Sequence, residues 1–338
     1  MEWYPWLNGP YRQLIERFQK GRAHHAVLLH ALPGMGRKSL VYALSRRILC
    51  ENHEGMKSCG ECHSCKLMIA GTHPDWYVLV PEKGKQILVV DTIRSVLENL
   101  YQRSRQGGAK LVWIENTEQL TEAAANSLLK TLEEPPDATY FLLGCYEPMR
   151  LLATLRSRCF YLYLSIPEKA QSVAWLNNRH STSAQALQTA LRLQSGAPLA
   201  VEHFLQNAET ARQRSTLCQA LANAVVHRTF YSLLPKLNHE DAPERIHWIS
   251  SLLLDALKIQ CGAASARVNL DQNELIALLV KKLTSTELDV VLSRWLRCCH
   301  QILTVKSVNR ELLLADVLLE WEQGFQTKTL NAFPFYFF

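Results

Sequence analysis

The chain has 338 residues, of which 48% are hydrophobic and 20% are charged. Because single domains usually run to roughly 100–200 residues, this length predicts two or three domains. The composition is that of a globular protein and excludes a largely disordered chain. The net charge of +6 is compatible with a polyanionic partner, but it is too small for a chain of this length to indicate one by itself.

The sequence contains no membrane-spanning pattern. A span needs roughly 18 uninterrupted apolar residues, and Asp316 and Glu320 interrupt the leucine-rich segment near residue 312. The N-terminus, Met-Glu-Trp-Tyr-Pro-Trp, lacks the basic residues and the apolar run of a signal peptide. We therefore expect a cytoplasmic protein without a membrane partner.

Residues 25–165 alternate short apolar runs with helical patterns, which is typical of an α/β domain with a largely parallel sheet. Asp91 is placed to cap a helix that runs to about residue 103. Thr121 is placed to cap another, which the Pro135-Pro136 pair ends. The predicted strands are His25–Ala31, Trp76–Val80, Leu111–Ile114, Tyr140–Cys145 and Phe160–Leu164.

After Pro167 the strand pattern ends and helical patterns follow. The segment to about Gln206 predicts two or three short helices, broken at Ser181–Ser183 and Gly196–Pro198, and hence a small helical domain. From about Ala208 onward, longer amphipathic helices predict a third, all-helical domain. Its apolar stripes are Ile246, Ile249, Leu253 and Leu257, and then Leu288, Val291, Leu292, Trp295 and Leu296.

These patterns predict three domains, at residues 1–165, 166–208 and 209–338. The chain ends in a strongly aromatic tail, Phe333–Phe338. That tail could be a packed anchor or a frayed end, and the sequence favours neither.

Four of the ten cysteines form the pattern Cys50-x8-Cys59-x2-Cys62-x2-Cys65. Four thiolates close a tetrahedral zinc shell and leave no open position for water, so the spacing predicts a structural zinc site in a module at 50–65. Four unliganded thiols and an iron–sulfur cluster remain as alternatives. Of the scattered cysteines, four are expected to pack in the helical domain: Cys218, Cys261, Cys298 and Cys299.

A loop of nucleotide-binding type follows the first predicted strand, but its residues depart from the P-loop pattern G-x4-G-K-[ST]. Gly36 falls on the second glycine, whereas Ala31 replaces the first. Arg37 replaces the lysine, and Lys38 replaces the hydroxyl residue that should hold Mg²⁺. In the next register, Leu32 and Arg37 occupy both glycine positions. We therefore expect no cofactor at this degenerate loop, which comprises Gly34, Gly36, Arg37 and Lys38.

The strand Leu111–Ile114 is followed by Glu115 and Asn116, where a Walker B strand ends in Asp-Glu to hold Mg²⁺ and polarise water. Glu115 keeps a carboxylate, but the Asn116 amide is no base. Two independent motifs are thus degraded in the same direction. We expect no intrinsic ATP hydrolysis and no other intrinsic enzyme activity.

Together these features resemble the clamp-loader branch of the AAA+ superfamily. The resemblance rests on His25–Ala31 leading into the loop, the cysteines inserted after the first helix, Ala125–Pro136, and Leu155–Cys159. It covers the first 165 residues in motif detail. It implies an AAA+ (P-loop-like) α/β domain with an inserted zinc module, then a small helical lid domain and an all-α oligomerisation collar.

Ser157-Arg158-Cys159 is similar to the SRC motif of this family, whose arginine reaches the γ-phosphate of ATP bound by a neighbouring subunit. The resemblance therefore implies that Arg158 is an arginine finger acting in trans. A guanidinium suits that role because it donates bidentate hydrogen bonds to phosphate while it stays charged. The sequence does not distinguish Arg158 from its near neighbour Arg156. The resemblance also implies that the family's sensor positions are altered. Cys145-Tyr146 stand near the expected Thr-Thr, and Leu199 stands where an arginine would meet the nucleotide.

The resemblance implies a non-hydrolysing subunit of the clamp loader of bacterial DNA polymerase III, which is a DNA-directed DNA polymerase. The implied partners are the gamma/tau ATPase subunits and the delta subunit in a pentameric hetero-oligomer, and through it the beta sliding clamp and primed DNA.

Two other functions stay open on the residues alone. One is an ATP-hydrolysing motor subunit with an unusual loop. The other is a zinc-dependent DNA-binding protein, which is disfavoured because Lys57 and Lys66 are the only lysines between Cys50 and Gly71.

Overall fold

The computed structural model describes residues 1–82, 84–85, 87–305 and 308–327. The chain divides into two compact units, Met1–Glu168 and Lys169–Phe338. The aromatic tail Phe333–Phe338 lies outside the described residues. Within the described part of the chain, no helix is long and apolar enough to cross a membrane. The three-domain division at residues 165 and 208 stays a prediction.

A five-stranded parallel sheet forms the centre of the first unit, in the order β2-β3-β4-β1-β5. Its strands are β1 (Ala26–Ala31), β2 (Trp76–Leu79), β3 (Lys110–Ile114), β4 (Thr139–Cys145) and β5 (Phe160–Leu164). Every predicted strand is present, with ends within one residue of those expected. The three inner strands are buried almost throughout, as is typical of a parallel sheet covered on both faces.

The parallel arrangement brings three predicted site segments to one edge of the sheet. The phosphate loop follows β1, Glu115 and Asn116 follow β3, and Cys145 ends β4. Because β1, β3 and β4 run in the same direction, their carboxyl ends meet at this edge, where ligands bind in open α/β sheets.

The helices that surround the sheet, in the described residues of this unit, are α1 (Asn8–Gln19), α2 (Arg37–Ile48), α3 (His63–Ala70), α4 (Val90–Leu100), α5 (Glu122–Glu133) and α6 (Ala153–Arg156). Short 3₁₀ turns cover Pro5–Leu7, Thr117–Gln119 and Pro148–Arg150. The predicted cap of α5 is confirmed, because the Thr121 hydroxyl accepts a hydrogen bond from the Ala124 amide at 3.2 Å. The helix ends before Pro135, as expected.

The predicted cap of α4 is wrong. The helix begins at Val90, so Val89 holds the cap position without a side-chain hydrogen bond, and Asp91 lies inside the first turn. A tertiary contact fixes this start instead. Leu88 forms a β-bridge with Leu120, and its amide donates to the carbonyl of Gln119 at 2.7 Å.

The second unit is helical within its described residues. The sequence predicts two or three short helices in its first part, and three are present: α7 (Lys169–Asn177), α8 (Ala184–Leu193) and α9 (Pro198–Gln206). The helices that follow are α10 (Ala208–His227), α11 (Leu234–Leu237), α12 (Ala242–Gln260), α13 (Asn273–Lys282), α14 (Ser285–Thr304) and α15 (Arg310–Thr327). Short 3₁₀ turns cover Phe230–Leu233 and Ala264–Ala266.

The second unit has a small apolar cluster under α7–α9 and a large one under the later helices. Trp248, Trp295 and Trp321 are fully buried in the large cluster. Two predictions are wrong here: Leu296 is 54% exposed rather than part of the buried stripe, and Cys261 is exposed rather than packed.

Candidate functional site

The phosphate loop is covered by the N-terminal segment of the chain. Gly36 has a left-handed φ of 81° and precedes α2. A side chain at this position would place its Cβ 2.8 Å from a ring carbon of Tyr4, so only glycine admits that contact. The Trp6 indole N–H donates to the carbonyl of Met35 at 2.9 Å, and the Tyr4 and Trp6 rings stack 5.2 Å apart. The chain's own aromatic residues therefore lie on the loop.

Arg37 is the first residue of α2, and its side chain lies inside the site with 6% of its surface exposed. Nη1 donates to the carbonyl of Cys145 at 2.7 Å. Nη2 donates to the carbonyl of Glu115 and to Oδ1 of Asn116, both at 2.7 Å. The guanidinium also lies 4.2 Å from the ring centroid of Tyr146. Burial lowers the pKa of Arg37, but a guanidinium remains protonated in proteins.

Arg37 thus joins α2 to the carboxyl ends of β3 and β4. In a working P-loop site this gap holds the phosphates and Mg²⁺. The carboxylate of Glu115 forms an ion pair with Lys38, whose Nζ lies 2.7 Å from Oε1. A cation therefore neutralises the group that would otherwise approach Mg²⁺. The chain's own side chains therefore lie between the loop and the ends of β3 and β4.

Gly144 makes room for this arrangement. A Cβ on Gly144 would lie 2.7 Å from Nε of Arg37 and would overlap the carbonyl of Glu115. Sequence analysis missed both this glycine and the covering residues Tyr4 and Trp6. A glycine inside a buried strand is a recognisable sign of close approach, whereas nothing in the sequence relates the N-terminal aromatics to a loop about thirty residues away.

The structure brings together the four charged or amide residues of the degenerate nucleotide motifs. Arg37 bonds to Glu115 and Asn116, and Lys38 pairs with Glu115. Gly34 lies in the loop before them, with the same left-handed φ of 81° as Gly36.

The four predicted metal ligands also come together. The Sγ atoms of Cys50, Cys59, Cys62 and Cys65 all lie within 4.8 Å of one another. The Cys59 sulfur is 3.6 Å from that of Cys50 and 3.9 Å from that of Cys65. A tetrahedral shell with Zn–S bonds of about 2.3 Å separates its sulfurs by about 3.8 Å. The cluster therefore fits such a shell, and four thiolates are a donor set that suits Zn²⁺.

Two helix ends frame this cluster. Cys50 follows α2, and Cys62 caps α3 by accepting a hydrogen bond from the amide of Cys65 at 3.3 Å. A hydrogen bond from the amide of Cys62 lowers the pKa of Cys59 to about 6, whereas burial raises the pKa of Cys65 to about 12. A bound dication would favour the thiolate at all four positions.

Arg47 organises the loop between the first two ligands, and sequence analysis missed it. This residue is 1% exposed. Its guanidinium donates to the carbonyls of Gly55 at 3.0 Å, Asn52 at 3.4 Å and His53 at 2.6 Å. In the sequence it resembles an ordinary basic residue in the last turn of a helix, so no local pattern marks it.

Arg158 lies in the turn between α6 and β5, with its side chain 31% exposed. Nε donates to Oε1 of Glu133 at 2.6 Å, Nη2 donates to the same oxygen, and Nη1 donates to the carbonyl of Thr154 at 2.7 Å. Arg156 differs, because its guanidinium contacts the sulfur of Met149 instead. Of these two arginines, Arg158 has the carboxylate partner among the described residues.

The other two residues of the triplet support the turn. The Ser157 hydroxyl donates to the carbonyl of Thr154 at 3.0 Å. The Cys159 thiol donates to the carbonyl of Leu155 at 3.3 Å, and burial raises the pKa of Cys159 to about 12. Ser157 and Cys159 therefore stabilise the local backbone, and Arg158 is the charged residue of the triplet.

Comparison with known proteins gives the family. A family model described as DNA polymerase III, delta subunit, matches residues 7–168. A second, described as DNA polymerase III subunit delta', AAA+ ATPase lid domain, matches 167–206, and a third, for the C-terminal part of the delta subunit, matches 208–323. A DNA polymerase III subunit delta' from Yersinia pestis is 52% identical over 339 residues, which is 99% of each chain. The chain belongs to the DNA polymerase III delta' family.

Two further relatives are a second delta' subunit and a more distant subunit of DNA polymerase III. A delta' subunit from Escherichia coli (strain K12) is 50% identical over 334 residues, again 99% of each chain. A DNA polymerase III subunit tau/gamma from Haemophilus influenzae is 31% identical over 158 residues, which is 47% of this chain and 22% of that protein. The delta' family is an AAA+ relative within the clamp-loader group, and this membership connects the chain with DNA replication.

Proposed function

We propose that this delta' chain is a non-hydrolysing subunit of the clamp loader, which completes the ATP site of a neighbouring gamma/tau subunit with Arg158. Its other partners in the hetero-oligomer are the delta subunit and, through the complex, the beta sliding clamp and primed DNA. We place this work in the bacterial cytoplasm. The C-terminal helices serve as the oligomerisation collar.

The observation that carries the non-hydrolysing part is the position of Arg37. Its guanidinium occupies the gap between the phosphate loop and the ends of β3 and β4, bonded to the carbonyls of Glu115 and Cys145. A nucleotide that entered this gap would have to break three hydrogen bonds of a buried cation. Asn116 and the Lys38–Glu115 ion pair support the same conclusion, since neither offers a base to activate water.

The trans role of Arg158 is supported by contrast with Arg37. One arginine is buried against its own chain, whereas the other is partly exposed beside the triplet that resembles the family's SRC motif. The relative named tau/gamma supports the choice of partner. ATP in a neighbour supplies the phosphate charge that a guanidinium stabilises in phosphoryl transfer.

We further propose that the four-cysteine cluster holds one structural zinc ion. The support is the near-tetrahedral spacing of the sulfurs and the absence, among the described cysteines, of a disulfide. The four thiolates would fill the tetrahedral shell of the ion and leave no open coordination position.

The trans role is tested by reconstituting the loader with Arg158→Ala. We expect the clamp- and DNA-stimulated ATPase rate to fall, by no more than the roughly 10³–10⁵-fold that arginine fingers supply elsewhere, because other sites keep turning over. Arg156→Ala is the matched control and should retain the wild-type rate. A wild-type rate for Arg158→Ala would exclude the finger role.

A further inference from the structure

The arrangement around Arg158 leaves part of its guanidinium free. A guanidinium carries five N–H donors, and three of them are used by Glu133 and Thr154. Among the residues that the structure describes, none accepts the remaining two, one on Nη1 and one on Nη2. A phosphate group accepts such a pair in a bidentate fork. Glu133 and a phosphate can therefore hold Arg158 at the same time.

Two elements with a shared core carry the ion pair. Glu133 is the last residue of α5, and Arg158 follows α6 by two positions. Leu132 of α5 and Leu155 of α6 belong to one buried cluster. The core thus fixes both chain segments relative to each other, and the ion pair fixes the long side chain between them.

The charge of Glu133 is unfavourable for its own helix. The last turn of a helix presents free carbonyl groups, which favour cations and repel carboxylates. An acid at the end of α5 therefore does little for the helix, and the contact with Arg158 offsets the repulsion. The pair explains the residue type at position 133 better than helix stability does.

We infer that Glu133 is a positioning residue for the arginine finger: it orients the guanidinium with two N–H groups directed away from the chain, ready for the γ-phosphate of the neighbouring ATP. The inference rests on the proposed trans role of Arg158. Without Glu133, the flexible arginine samples many rotamers, and fewer of them reach the phosphate. Because the finger acts in the transition state, the loss falls on kcat rather than on KM.

The test is a double-mutant cycle in the reconstituted loader, with Glu133→Ala, Arg158→Ala and the double variant. At the site completed by this chain, Glu133→Ala should lower kcat by about three- to thirtyfold, in the range of coupled neighbouring residues. KM for ATP should stay unchanged. In the Arg158→Ala background, Glu133→Ala should cause no further loss. Glu133→Gln keeps an oxygen acceptor without the charge and should give an intermediate rate.

Glu134→Ala is the matched control, since it removes the adjacent exposed acid and should leave the rate at the wild-type value. A wild-type kcat for Glu133→Ala, or an equal loss in both backgrounds, would overturn the positioning role while the finger role stands. If Arg158→Ala alone has the wild-type rate, the finger role and the positioning role fall together. Unchanged melting temperatures of the variants establish that each rate belongs to folded protein.

Discussion

At the scale of single residues, two arginines in one unit have contrasting surroundings. Arg37 is buried and donates to three acceptors, whereas the partly exposed Arg158 keeps two N–H groups without an acceptor among the described residues. The sequence predicts a degenerate loop from Arg37 and Lys38, because the residue types differ from the P-loop pattern. It does not predict that Arg37 fills the site, since its partners Glu115 and Cys145 lie 78 and 108 positions away. Only the sheet order brings them together.

A single added methyl group at Gly144 tests how tightly Arg37 is enclosed. Gly144→Ala places a Cβ 2.7 Å from Nε of Arg37, so either the guanidinium or the strand end must move. Overpacking of this kind costs about 1–3 kcal/mol of unfolding free energy. We expect a lower melting temperature, measured by tryptophan fluorescence. Gly108→Ala is the control because its Cβ would meet nothing within 4 Å; equal melting temperatures for the two variants would show that Arg37 is not tightly enclosed.

At the scale of elements, the strands are the most predictable part of the fold. Parallel strands buried on both faces are continuous apolar runs, which the sequence displays directly. Helix starts depend on other contacts: α4 begins where the Leu88–Leu120 bridge ends, and not at Asp91. The sequence also assigns Leu296 wrongly to the buried stripe of α14. At roughly 100° per residue, it lies outside the arc formed by Leu288, Val291 and Trp295, and the buried face of α14 is narrower than its leucines suggest.

The cysteine module is the element whose stability we expect to depend on a ligand. Its loop lacks regular structure between α2 and α3, and Arg47 and the sulfurs hold it. We expect one equivalent of zinc per chain, and after chelation faster amide exchange in residues 50–70 with unchanged protection in the sheet, because four-thiolate sites supply folding energy locally. Elemental analysis measures the zinc content, and hydrogen exchange measures the amide protection.

Cys62→Ser should abolish zinc binding, because it removes one of the four sulfur ligands. The control variant Cys299→Ser, which lies outside the cluster, should bind zinc like the wild type. A reduced preparation that contains no zinc, without prior chelation, would contradict the assignment. So would exchange that accelerates equally in the sheet and in the module.

At the scale of the whole molecule, the closed loop predicts how the folded chain responds to nucleotide. A ligand that binds only the native state stabilises it by an amount that grows with the logarithm of its concentration relative to Kd, and reaches about 2.7 kcal/mol at a hundredfold excess over Kd. That increment is readily visible as a shift in melting temperature. Because we propose that the Arg37 guanidinium and the Lys38–Glu115 ion pair close this loop to phosphates and Mg²⁺, we expect the isolated chain to melt at the same temperature with and without Mg-ATP.

The positive control is a tau/gamma subunit measured under the same conditions, at ATP concentrations that saturate it. That subunit should be stabilised and the delta' chain should not, as expected if nucleotide binds the loader at the neighbouring subunits rather than at this chain's own loop. A magnesium-dependent rise in the melting temperature of the isolated chain would instead mean that the loop opens to nucleotide, and that Arg37 leaves the ends of β3 and β4 when ATP is present.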